Sequence, residues 1–375
     1  MTNRERFLKL MRGQPVDRAP FFPCFGPWPE TLERWQREGM PADGDWREIC
    51  GFDGDLRHRH PVNAFMCPGV EPRILEDEGE TQVVIDGFGI RQRQRKDRGS
   101  MPEFLSFPVS DRSDWERIKP RFALDLAARL PPSEKWQAYC AANATRTEPC
   151  YAGDLPIGFF GGPRQLMGYE ALAYALYDDP ALVEDILDTL CDLWVEFFPV
   201  VLRNAPVDFF FIWEDMCFKT GPLISPELFR RFLVPRYQRF TAALRDAGVD
   251  IIMVDCDGDP RLLVDAWLDG GVTCVFPWET QMGIDLTEVR RSHPTLQMIG
   301  GVDKHTLALG REAIDSDLRK IPFMLENGRF LPAVDHFVPP DVSWDNYRYF
   351  CDQLRNLIER YPPCPADRRE VAGSE

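Results

Sequence analysis

At 375 residues with 44% hydrophobic content, the chain can form one α/β barrel with extensions or two smaller domains, and it can bury a sizeable core. Its formal net charge of −16 opposes nucleic-acid backbones and anionic membranes as partners, and the one basic cluster, Arg91 to Arg98, is too short to reverse this. Eleven cysteines, an odd count without Cys-x-x-Cys pairs, fit reduced thiols. Together with a charged N-terminus and no apolar run of membrane length, they predict a soluble cytoplasmic protein.

Thr2 and Glu5 form a capping box that opens a helix, Arg4 to Met11, and further helical patterns cover Pro29 to Glu38 and Ser113 to Ile118. A hairpin is predicted through Thr81 to Arg93, turning near Asp86-Gly87. Residues 1–130 are otherwise irregular and rich in Pro, Gly and Trp, an elaborated N-terminal part that covers the barrel's mouth or one side. Residues 131–361 are regular, so 1–361 reads as a single domain, and the Pro-rich, charged tail 362–375 is predicted to be disordered.

In the regular part, Ile157 to Phe160 leads into Gly161-Gly162-Pro163, read as a tight turn because no phosphate-loop pattern is present. A helix carrying Leu166, Tyr169, Leu172, Ala173 and Leu176 follows, and another begins after Asp179-Pro180. Five apolar runs then end in acidic residues. Val207 to Trp213 runs into Glu214-Asp215, Asp250 to Val254 into Asp255-Cys256-Asp257, and Val272 to Trp278 into Glu279. Leu296 to Val302 runs into Asp303-Lys304, and Phe330 to Val334 into Asp335-His336. Helical patterns separate them. One starts at Ser225-Pro226-Glu227 and ends at Gly248, another covers Pro260 to Leu268, and Trp344 to Arg360 closes the fold. Apolar strands alternating with amphipathic helices indicate βαβ units and a parallel sheet, with ligands beyond the strands' carboxyl ends.

The candidate site residues are therefore the acids at those ends. Asp255 and Asp257 point the same way from one strand, Gly258 permits a tight backbone turn beside a ligand, and Asp257 or Asp259 alternatively caps the next helix. Two carboxylates so close repel unless a cation or a shared proton intervenes. His336 lies in a rigid rim loop, Glu279 after a strand-end Trp is a metal ligand, a general base or a salt-bridge partner for a rim arginine, and Glu214, Asp215, Asp303 and Asp335 are available to bind a polar substrate group. Lys304 reads as an internal ion-pair partner of Asp303, and Trp213 and Trp278 as walls of an aromatic slot or as core. Cys256 and Cys274 read as core or rim thiols.

These motifs resemble the uroporphyrinogen decarboxylase superfamily over nearly the whole chain. The resemblance is carried by Arg4 to Leu8 and Gly13 to Pro20 at the start, and by Gly161-Gly162-Pro163 and Asp179-Pro180 in the middle. Ser225 to Phe229, Pro235 to Tyr237, Gly300 to Asp303 and Asp345 to Tyr347 carry it in the second half. It implies a TIM (β/α)8 barrel. Decarboxylases of the family carry arginines just after the opening, where this chain reads Phe21 to Trp28 without one. The other branch, corrinoid-dependent methyltransferases, binds zinc through a His-x-Cys and a distant Cys, and the matching positions here are Asp255, Asp257 and His336. The resemblance thus implies an oxygen-rich metal site, zinc with Glu279 nearby, and methyl transfer from a small donor such as an aryl methyl ether or methylated amine to the cobalt of a partner corrinoid protein. A uroporphyrinogen-type decarboxylase and a non-catalytic binding barrel are the alternatives, and a homodimer is left open.

Overall fold

The structure, a computed structural model, describes residues 1–97 and 101–363. The tail expected to be disordered lies outside the described residues from position 364.

The N-terminal part holds β1 (His58–Arg59) and a four-stranded antiparallel sheet of β2 (Arg73–Asp77), β3 (Thr81–Ile85), β4 (Arg91–Arg95) and β5 (Glu103–Ser106). The predicted hairpin is the β3–β4 pair, with Thr81 opposite Arg95. Its turn forms where expected because the Asp86 carboxylate accepts from the Phe88 and Ile90 N–H groups.

The regular part supplies β6 (Cys150–Gly153), β7 (Phe209–Trp213), the short pair β8 (Cys217–Phe218) and β9 (Gly221–Pro222), then β10 (Ile252–Asp255), β11 (Cys274–Trp278), β12 (Gln297–Val302) and β13 (Phe330–Val334). Seven strands form one curled parallel sheet in the order β1-β6-β7-β10-β11-β12-β13, the wall of a TIM barrel with helices outside. Beyond β13 the extended N-terminal segment joins the wall. Pro27 bridges Val338 in parallel, the Val338 N–H donating to Gly26 O and the Trp28 N–H to Val338 O. All five predicted strands are present. They are apolar along their length because both faces are covered, and every residue of β11, β12 and β13 is buried.

Outside the sheet, the 25-residue helix Pro180–Asn204 packs on helix Val234–Asp246 and on β7. Phe198 meets the ring of Phe210 edge-on at 4.7 Å, and Phe210 meets Phe240 at 5.1 Å. Three fully buried rings in mutual contact contribute about 1.5–3 kcal/mol each by burial alone.

Three helices depart from expectation. The helix expected through Leu166 and Leu176 is two, Gly161–Met167 and Tyr169–Asp178, broken at Gly168, where φ is +77° and a Cβ would collide with Phe107. Gly161-Gly162-Pro163 is thus the first turn of a helix and not a free turn. The Ser225-capped helix widens to a π-turn over Phe229–Leu233 just before Pro235, which has no N–H to donate. The helix expected from Pro260 starts only at Val264, since Asp259 instead holds the preceding turn through the Arg261 N–H and guanidinium. Among the described residues no helix is long and apolar enough to cross a membrane.

Candidate functional site

Alternate residues of parallel strands face the barrel interior, and here they leave it hollow. A cavity of about 480 Å³ is walled by Phe209 and Phe211 of β7, Met253 and Asp255 of β10, and Phe276 of β11. The N-terminal part closes it with Phe25, Trp46, Arg47 and Arg57. A second cavity, about 490 Å³, opens beyond the strands' carboxyl ends among Arg164, Asp215, Phe218, Asp257, Glu279 and Met282.

His336 sits between the two. Its Nε2 lies 3.4 Å from Asp257 Oδ2, and its ring stacks on Phe25 at 4.8 Å. Phe25 in turn stacks on Phe276 at 5.1 Å, so an N-terminal ring orients the rim histidine. Asp215 takes a φ of +45°, a strained left-handed conformation for a non-glycine residue, which turns its carboxylate to the mouth, 2.8 Å from Arg164 Nη1. That guanidinium also lies 5.3 Å over the Trp213 ring.

Glu279 is held on both oxygens. Oε1 accepts from Lys304 Nζ (3.1 Å) and Gln281 Nε2 (3.1 Å), and Oε2 from the Gly258 N–H (2.8 Å). Gly258 has a φ of +86°, and a Cβ there would lie 2.7 Å from Phe218 O, so only glycine lets this loop pass so close. Asp257 is not a helix cap. Asp255 is raised well above the usual carboxyl range by burial first, then by the charges of Asp257, Asp215, Asp154 and Glu279. Burial likewise raises Asp215, against the opposing pull of Arg164.

The remaining predicted residues lie elsewhere. Glu214 is fully buried, accepting from the N–H groups of Phe159, Phe160 and Gly161 and from the Tyr237 hydroxyl. It ties the helix at Gly161 to β7 and is turned away from the mouth that Asp215 faces. Asp303 accepts from the N–H and ring of His305 and not from Lys304, which reaches Glu279 across the strands. Asp335 is buried, accepting the Lys304 N–H on Oδ1 while Oδ2 has no partner among the described residues. Trp278 is core, its buried ring N–H having no partner among the described residues. The aromatic slot is made by phenylalanines, Trp46 and Tyr151, with neither Trp213 nor Trp278 in its wall. Cys256 and Cys274 are buried thiols.

Arg47, Arg57, Arg164 and Phe25, which line the two cavities, were not among the sequence candidates. The first two stand well after the arginine-free Phe21 to Trp28 segment, and Arg164 follows a Gly-Gly-Pro read only as a turn.

In a tetrahedral zinc site with bonds of about 2.0–2.1 Å, donor atoms lie about 3.3 Å apart. The His336–Asp257 separation matches such an edge. Among the described residues, however, no three His, Cys, Asp or Glu side chains already form a metal group, and Glu279 is committed to Lys304.

The uroporphyrinogen decarboxylase (URO-D) family model matches residues 80–357. The chain belongs to this family. No curated protein matches in sequence. Among solved structures, a methyltransferase from Methanosarcina mazei is similar at 17% identity and a TM-score of 0.63, covering 95% of this chain and 99% of its own. A B12-independent methionine synthase from Shewanella sp. W3-18-1 is 11% identical over 95% of this chain and 99% of its own, with a TM-score of 0.45. The first likeness shows the same barrel fold.

Proposed function

We propose that this URO-D family member is an enzyme that transfers a methyl group from a small methylated donor to the cobalt of a corrinoid carried by a partner protein. The observation that carries this reading is the placement of Asp255, Asp257 and His336 where an aromatic cavity of about 480 Å³ meets the open mouth. The fold shared with the Methanosarcina methyltransferase supports it. A cavity of this size suits a small donor, whose methyl group would be presented at the open mouth to a second protein's cofactor.

Asp255, Asp257 and His336 are the donor set we assign to zinc, and Asp255 and Asp257 repel less once a cation stands between them. Bound there, the ion would supply Lewis acidity to the donor heteroatom, making it a better leaving group. Glu279, pinned by Lys304, holds the Gly258 turn and so sets the position of Asp257. The Phe25 stack fixes the His336 ring, and the phenylalanine wall keeps water from the donor. With the donor so held, its methyl carbon would be open to the partner's cobalt electron pair, and the pair of the broken carbon–heteroatom bond would stay on the heteroatom.

The test is incubation of zinc-supplemented enzyme with cob(I)alamin and a panel of methyl ethers and methylated amines, following the cobalamin spectrum. Methylation with at least one donor class is expected. Conversion of uroporphyrinogen to coproporphyrinogen at a catalytic rate would overturn the reading.

A further inference from the structure

We propose that Arg47 and Arg57 form a carboxylate subsite in the wall of the barrel cavity, so that the donor is a small molecule bearing a carboxylate opposite its methyl-bearing heteroatom. The second half of this statement rests on the methyltransferase reading; the subsite itself does not.

Both arginines line the cavity from the N-terminal part, whereas Asp255 lines it from β10. They lie close together around one indole. Arg47 stacks over the Trp46 ring at 4.5 Å, and a Cβ at Gly26 would lie 3.6 Å from that ring and 3.9 Å from Arg57 Nη2. Neither is saturated by its own neighbours. The Arg47 Nε is buried without a hydrogen-bond partner among the described residues, and the side chain's contact with Asp45 is a single 3.3 Å bond from Nη1. Arg57 Nε is 3.6 Å from Asp55, beyond hydrogen-bond length. Burial and the Arg47 charge both lower the proton affinity of Arg57, which an arriving anion would offset.

A planar monoanion suits the site. Guanidinium N–H edges pair with a carboxylate in two parallel bonds, and a dianion would meet added repulsion from Asp154 in the same cavity. Phe209, Phe211 and Phe276 line the same cavity, an apolar wall suited to the middle of such a donor.

The test compares binding of para-methoxybenzoate with para-methoxybenzyl alcohol, and of N,N-dimethylglycine with N,N-dimethylethanolamine, by calorimetry on the full chain. The two pairs distinguish an aromatic acid from an amino acid. At least one acid is expected to bind about tenfold or more tightly than its alcohol, the gain of a charge-assisted hydrogen bond, and Arg47→Gln or Arg57→Gln should abolish that preference. Arg57→Gln changes a half-exposed side chain and should leave the melting temperature unchanged, which covers misfolding of Arg47→Gln. Equal binding of acids and alcohols, no saturable binding of either acid, or a preference surviving Arg57→Gln would overturn the subsite. Tight acid binding without methyl transfer removes the enzymatic reading alone, and methyl transfer without acid preference removes the subsite alone.

Discussion

Lys304 donates to Glu279 at 3.1 Å, bypassing its sequence neighbour Asp303 and joining the loop after β12 to the end of β11. Both side chains are largely buried, at 16% and 6% exposure. The pair stands directly behind the Asp257 turn, so charge balance in the wall and geometry at the mouth are coupled.

Lys304→Met should therefore leave Glu279 buried without its counter-ion and destabilise the protein by about 3 kcal/mol. Combining it with Glu279→Gln should recover part of that loss, measured by denaturant unfolding as a double-mutant cycle. Simple additivity would show that the two do not act as a pair.

His336→Ala and Asp257→Ala should each lower zinc content and methyl transfer at least about tenfold, with a thermal midpoint close to wild type because both groups stand at the rim. Elemental analysis after dialysis against zinc checks this. Full metal content in both variants would rule out the assigned ligands.

Asp208 is 1% exposed and ties the N-terminal helix to the barrel, accepting from Arg4 Nε (2.7 Å), Arg146 Nε (3.1 Å) and the Cys150 N–H (3.0 Å). Asp208→Ala strands two guanidinium groups and should cost about 3 kcal/mol. That is the low end for a broken buried pair, since Arg4 is 37% exposed. A smaller shift in urea unfolding would mean that water reaches the arginines.

His60 is buried edge-to-face with Trp136 and Tyr139, and neither ring nitrogen has a hydrogen-bond partner among the described residues. Burial, aided by the Arg146 charge, lowers its pKa from 6.5 to about 4. The unfolded chain thus binds this proton more readily than the folded one. Stability is fully present above pH 6.5 and falls as pH drops toward 4, by up to about 3 kcal/mol. His60→Phe should flatten that part of the stability profile, and an unchanged slope would place the acid sensitivity elsewhere.

The alternation of strand and helix was legible because buried parallel strands must be apolar along their whole length, a local property of runs such as Phe330–Val334. The same logic located Asp255, Asp257 and Glu279 at the strands' carboxyl ends. Glycine gave one further signal, since the Gly258 turn needs a positive φ whatever surrounds it.

What the sequence alone determined is therefore the barrel and the end at which its acids gather, because periodicity and strand direction are set by neighbouring residues. Tertiary structure decided which of those acids face the mouth. Glu214 and Asp215 are adjacent, yet one is clasped by the N–H groups at Gly161 while the other, at a φ of +45°, meets Arg164. It also decided who their partners are: Lys304 chose Glu279 across the sheet, and Phe25, Arg47 and Arg57 entered the cavity from the far end of the chain. Such contacts follow from the path of the backbone in space, and no local pattern of residues encodes them.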